Sequence, residues 1–106
     1  MSASDSLLVE IQDRVRAGDY RVTLHAADRS IQRHISASDI EGALLSSGAE
    51  IIESYPSDPR GSSVLILGFT EKAVALHIQC TYPPAVAVVT VYQPEPGEWT
   101  NWRVRK

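Results

Sequence analysis

The sequence predicts an α+β fold in which about three N-terminal helices pack on a four-stranded, mostly antiparallel sheet. Three observations support this. Apolar residues recur at the helical period up to Gly48, then gather into short runs rich in valine, isoleucine, leucine and tyrosine. The connections between the last three runs are too short for the crossovers that parallel neighbours require. Finally, 106 residues suffice for one ordinary core and no second domain, so 1–106 reads as a single unit, with residues 1–4 expected to be flexible.

The first helix is expected over about 5–17, where Leu7, Leu8, Ile11 and Val15 form one apolar stripe and Gly18 supplies the stop. A short extended stretch over 20–24 leads to His25. The second helix covers roughly 26–34, with Ala27, Ile31 and Ile35 on its buried side. Ser38 and Glu41 then have the spacing of a capping box, opening a third helix that buries Ile40, Ala43 and Leu44 and ends at Gly48. Strands are expected at 51–55, 63–69, 73–80 and 85–92, separated by turn-forming residues at 56–61, 70–72 and 81–84. The near-continuous apolar run 85–91 suggests a central strand covered on both faces. Pro94, Pro96, Trp99 and Trp102 mark a tail packed back on the sheet.

Composition narrows the function. Apolar residues make up 43% and charged residues 22%, the balance of a folded globular chain. The apolar runs at 64–67 and 85–89 fall far short of the ~20 residues that span a bilayer. Residues 1–6 lack the basic start and apolar centre of a secretion signal. A single cysteine, Cys80, forms no internal disulfide, so a cytoplasmic location is expected. The net charge of −3 argues against non-specific coating of nucleic acid but leaves room for a local basic site. Eight of the ten basic residues are arginine, suited to bidentate phosphate or carboxylate contacts.

Three constellations carry chemistry. His25, Arg29 and Arg33 stand four apart, within about 80° of one helix face. Guanidinium groups one turn apart repel each other unless an anion sits between them, and a neighbouring imidazole moves protons near neutrality. The ordinary alternative is a solvated face opposite Ala27 and Ile31, its arginines paired with Asp28 or a neighbouring segment. His77 shares a strand face with Ala73, Ala75 and Gln79, opposite Val74, Leu76, Ile78 and Cys80. That suits a titratable group on the floor of a cleft, and equally a ring held by a loop carbonyl. Thr90 and Tyr92 share a face of the final strand and offer hydroxyls to an oxyanion, although polar residues also end strands at ordinary sheet rims. The histidines and Cys80 match no zinc spacing, and phosphate-loop, dinucleotide and nucleophile-elbow motifs are missing, so neither metal nor cofactor is expected. Cys80 reads as an inert core thiol.

The ordered set His25-Ala-x-x-Arg29-x-x-x-Arg33-His-Ile35-Ser36, Asp39-Ile40, Ile52-Glu-Ser-Tyr55-Pro56, Arg60-Gly61, Leu65-Ile-Leu-Gly68, Leu76-His77 and Thr90-Val-Tyr92 with Pro94 resembles the domain of unknown function 4258 family. The likeness runs over roughly residues 7–103. It implies a fold like that of the RelE/ParE and MqsR toxins, a small antitoxin-like partner protein, and metal-independent cleavage of RNA. On that reading Arg29 and Arg33 hold the scissile phosphate and its neighbour, and His25 and His77 divide the base and acid roles. Tyr92 with Thr90 contacts a non-bridging oxygen or a base, and Arg103 joins the substrate-binding set. The acidic balance departs from RelE-like ribonucleases, which tend to be basic, and leaves a narrower substrate or no catalysis at all. A competing expectation is a non-catalytic module of the same fold that engages a small partner through the helix arginines, with Trp99 and Trp102 as an exposed anchor.

Overall fold

Helix α1 (Ala3–Arg16) turns Ile11 and Val15, four residues apart and both fully buried, onto the sheet in a computed structural model that describes residues 3–59 and 61–106. The flexible lead expected over 1–4 lies outside the described residues at 1–2, whereas Ala3 and Ser4 already belong to α1. Arg60, part of the family-like pattern, also lies outside them. Among the described residues no helix is long and apolar enough to cross a membrane.

After α1 come β1 (Arg21–Val22), α2 (Leu24–Gln32) and α3 (Ala37–Leu44), then β2 (Glu50–Tyr55), β3 (Ser63–Phe69), β4 (Ala75–Thr81) and β5 (Ala87–Tyr92). A two-stranded ribbon, β6 (Trp99–Thr100) with β7 (Val104–Arg105), closes the chain. The main sheet has five strands in the order β1-β5-β4-β3-β2, not the expected four. The extra strand is the extended stretch before α2. Arg21 and Thr23 donate to the carbonyls of Val86 and Val88 at 3.1 and 3.0 Å, pairing β1 parallel to β5 at one edge while every other pairing is antiparallel. Among the described residues the architecture is therefore α+β, three helices with a five-stranded, mostly antiparallel sheet.

Capping sets the helix limits earlier than the spacing suggested. Thr23 accepts from the Ala26 N–H at 3.1 Å and starts α2 ahead of His25. The helix ends at Arg33 in a Schellman arrangement, with His34 N–H on the Ile31 carbonyl and Ile35 N–H on that of Ser30. The chain leaves this turn extended at Ser36, which becomes the N-cap of α3 in a capping box with Asp39; Ser38 and Glu41 do not form it. The buried face of α2 carries Ala26 and Ser30, small residues that let the helix lie close to β5. Ile31, expected inside, is 73% exposed.

The helices cover one sheet face, where Val64, Ile66, Leu76, Ile78, Val88 and Val91 meet Ile40, Ala43 and Leu44. The strand buried along almost its whole length is β3; β5, expected to be the covered central strand, is half-exposed at Val89 and Thr90, since β1 pairs with only its first two residues. The second sheet face lies beneath the C-terminal ribbon, and there the expectation of a tail packed back on the sheet is met.

Candidate active site

Register decides which side chains share the second face. Directly paired residues project to the same side, giving one row of Glu50, Leu67, His77 and Tyr92 and a second of Glu53, Leu65, Gln79 and Thr90. Glu50 and Glu53 are three apart and would face opposite ways on a regular strand. A bulge between Ile51 and Glu53 brings both to this side.

His77 is fully buried in the middle of the first row. Its Nε2 lies 2.6 Å from the Trp102 carbonyl oxygen, which only accepts, so this nitrogen carries the proton. Burial favours the neutral ring, in which Nδ1 is a lone pair that accepts from the Tyr92 hydroxyl at 3.2 Å. Trp99 meets the imidazole edge-on at 4.3 Å between centroids, and the Arg105 guanidinium lies 4.6 Å from the Trp99 ring. The imidazole is thus neutral and fully bonded. Burial holds its pKa below the ordinary histidine value, while the Trp102 carbonyl and Glu53 pull the other way. Burial also raises the Tyr92 phenol.

Around this pair the ribbon is fastened by charge. Arg103 Nε donates to Glu50 at 2.7 Å, and Arg105 donates twice to Glu53 at 2.9 and 3.2 Å. The Tyr55 hydroxyl bonds to Glu53 as well. Burial works against the Glu53 charge, but the bonds from Arg105 and Tyr55 outweigh it and hold the carboxyl below its usual value.

Four of the residues singled out from sequence therefore converge on this face: His77, Tyr92 and Thr90 from the sheet and Arg103 from the ribbon. Arg33 comes close from the helical side. Its Nη1 donates at 2.7 Å to the Val91 carbonyl, on the stretch of β5 beyond the reach of β1, and its charge is felt at Tyr92. His25 and Arg29 stay apart, on the exposed flank of α2 in the layer that covers the opposite sheet face, with Arg29 near Gln32 at 3.4 Å. The partner of His77 is Tyr92, not His25. Of the two expectations for His77, the ring held by a loop carbonyl is the one observed and the cleft-facing imidazole is not, because alternation fixes the face but not the Trp99–Trp102 segment that covers it. By the same contact Trp99, 4% exposed, is no exposed anchor.

Glu53, Tyr55, Arg105 and the Trp102 carbonyl were not singled out from the sequence. Acidic Glu50 and Glu53 set against basic Arg103 and Arg105 were the available signal, hidden by the bulge. Cys80 is a buried thiol, its pKa pushed up to about 12 by burial. Among the described residues no group of three or more His, Cys, Asp or Glu is placed to hold a metal ion.

A family model described as Domain of unknown function (DUF4258) matches residues 22–93, well over half of the chain. It begins at Val22 in β1, takes in α2, α3 and β2 to β5, and ends one residue beyond Tyr92, before the ribbon. No curated protein and no solved structure matches the chain.

Proposed function

We propose that this chain, which belongs to the DUF4258 family, is a toxin-like, metal-independent endoribonuclease of RelE-like fold, with Tyr92 backed by His77 as its proton-transfer group. The observation that carries the reading is the Tyr92 hydroxyl aimed at the free lone pair of a neutral imidazole whose other nitrogen is anchored to a backbone carbonyl. RNA supplies its own nucleophile. As the ribose 2′-oxygen attacks phosphorus, its proton passes to the Tyr92 oxygen while the phenolic proton moves to His77 Nδ1. The resulting imidazolium is stabilised by the Trp102 carbonyl and the Glu53 charge. The bond to the 5′-oxygen breaks, the relay returns a proton to that oxygen, and the products are a 2′,3′-cyclic phosphate and a 5′-hydroxyl. Arg33 lies beside Tyr92 to offset charge on the phosphate, with Thr90 and Arg103 on the substrate side. Tyr92 is the catalytic residue, and His77 positions it and takes up its proton; His25 and Arg29 lie outside the relay.

The test is cleavage of single-stranded RNA by the purified chain in chelator. Wild type is expected to leave 2′,3′-cyclic ends, and Tyr92→Phe to be slower by about 10²-fold, the usual scale for a general acid or base. Intact RNA with wild type, or an unchanged rate in Tyr92→Phe, overturns the assignment.

A second, compatible reading is engagement of a small antitoxin-like protein. Leu24 and Ile31, seven apart on the outer side of α2, are 84% and 73% exposed beside Val22. Replacing both with glutamate is expected to abolish co-purification of such a partner expressed with the chain, leaving helix content unchanged.

A further inference from the structure

At Gln93, the residue after Tyr92, two grooves meet. One, of about 480 Å³, is lined by residues 73–75 and 93–96 and by Trp102. The other, of about 290 Å³, is lined by Arg33, His34, Asp39, Thr70 and Lys72 among others. Val74 and Gln93 line both, so the two adjoin around the start of β4 as one channel-like surface, with Arg33, His34 and Lys72 at one end and Trp102 at the other. Within the second groove Arg33, His34 and Lys72 stand with one carboxylate, Asp39, on a chain whose net charge is −3, and the other carboxylate of the channel, Glu95, lines the aromatic end. Asp39 already accepts the Ser36 N–H in the capping box at 3.0 Å.

The backbone singles out the same place. Among the described residues four non-glycine residues have positive φ, and three of them, His34 at 57°, Ala73 at 62° and Trp102 at 63°, line this channel. His34 occupies the Schellman position where helices ordinarily place glycine, because a Cβ there costs about 1 kcal/mol or more. A histidine in that position gives up stability and keeps an imidazole beside Arg33 and Lys72.

We infer that this channel grips the backbone of single-stranded RNA, a phosphate lying among Arg33, His34 and Lys72 and a base resting on the Trp102 indole. The inference rests on the endoribonuclease reading and extends it from the reacting group to the hold on the substrate. Arginine, imidazole and lysine together match a phosphate, and the indole in the adjoining groove suits a base, which stacks on any aromatic face for about 1–3 kcal/mol. An acidic peptide would use the basic end alone.

The experiment is fluorescence anisotropy of the full chain with a labelled 2′-O-methyl oligonucleotide, which binds but offers no 2′-hydroxyl for cleavage. Lys72→Ala is expected to weaken binding about five- to tenfold and to lower the log–log salt slope by about 0.7, one single-strand phosphate contact. His34→Gly is expected to weaken binding while raising Tm, a split that a purely structural histidine would not produce. Unchanged affinity and slope in the Lys72→Ala/His34→Gly double variant, with its fold intact by circular dichroism, overturns the inference. So does a poly-glutamate peptide that competes as well as the oligonucleotide. If the variants weaken binding while wild type cleaves no RNA, the channel stands and the ribonuclease falls; cleavage with unaltered binding in the variants gives the reverse.

Discussion

Gly68→Ala is expected to lower unfolding stability by about 3 kcal/mol or more, although it adds one methyl group. A Cβ on Gly68 would lie 2.1 Å from the Ala43 carbonyl oxygen and 2.6 Å from its carbon, distances that real Cβ atoms do not show. The obstacle is the backbone of α3, which has no rotamer to turn aside. The helix must lift from β3 and thin the contacts of Ala43 and Leu44, both fully buried. Overpacking ordinarily costs about 1–3 kcal/mol, and a backbone obstacle places this variant at or above the top of that range. Gly42, one residue before Ala43 in the same helix, makes the internal comparison. A Cβ there meets nothing within 4 Å, so Gly42→Ala is expected to raise stability by about 0.5–1 kcal/mol through helix propensity. Urea unfolding with unchanged m-values checks both. A Gly68→Ala cost below about 1 kcal/mol would mean that α3 does not rest on β3 as described.

What could be read from sequence follows from how local each signal is. The limits of β3 coincide with the expected 63–69, and α3 buries the expected Ile40, Ala43 and Leu44, because a hydrophobic period inside one element needs no partner to interpret it. Strand alternation likewise put His77 opposite Leu76, Ile78 and Cys80. Long-range pairing left no such trace. Arg21 and Val22 become a strand only because β5 offers an unpaired edge far along the chain. Ile31 turns outward because Ala26 and Ser30 are small enough for close approach, a preference that apolar spacing alone reverses. At the site, the bulge at β2 shifted two glutamates onto one face, and the ribbon turned an expected cleft into a covered network. Residue types were legible; which of them meet was set by register and by the tail.

His77→Ala is expected to cost about 3–5 kcal/mol at pH 7, and its loss should reshape the acid side of the stability curve. The substitution empties the volume of a fully buried ring beneath Trp99 and strips the Trp102 carbonyl and the Tyr92 hydroxyl of their partner. For this reason Tyr92→Phe, which keeps its ring, is the cleaner probe of activity. The pH dependence follows from the same bonds. Protonating His77 puts a hydrogen on Nδ1, where it can no longer accept from Tyr92, and places a charge in a buried site, so the folded-state pKa lies below the ordinary value of 6.5. Below pH 6.5 the unfolded chain therefore binds a proton that the folded chain refuses. Stability conferred by neutral His77 is complete above that pH and declines as the solution is acidified toward the folded pKa, by up to about 1.4 kcal/mol per pH unit. Glu53, with its carboxyl held low by Arg105 and Tyr55, loses its contribution in a separate window that opens only below its ordinary value of 4.5. His77→Gln separates packing from titration: its amide can donate to the Trp102 carbonyl and accept from Tyr92, but takes up no proton near neutrality. Urea unfolding from pH 7.5 to 5 should show wild type losing stability below pH 6.5, and His77→Gln should be less stable at pH 7 but flatter across that interval. Equal slopes in the two proteins would show that the proton taken up on unfolding is not the one on His77, and that its ring is not held neutral between Tyr92 and Trp102.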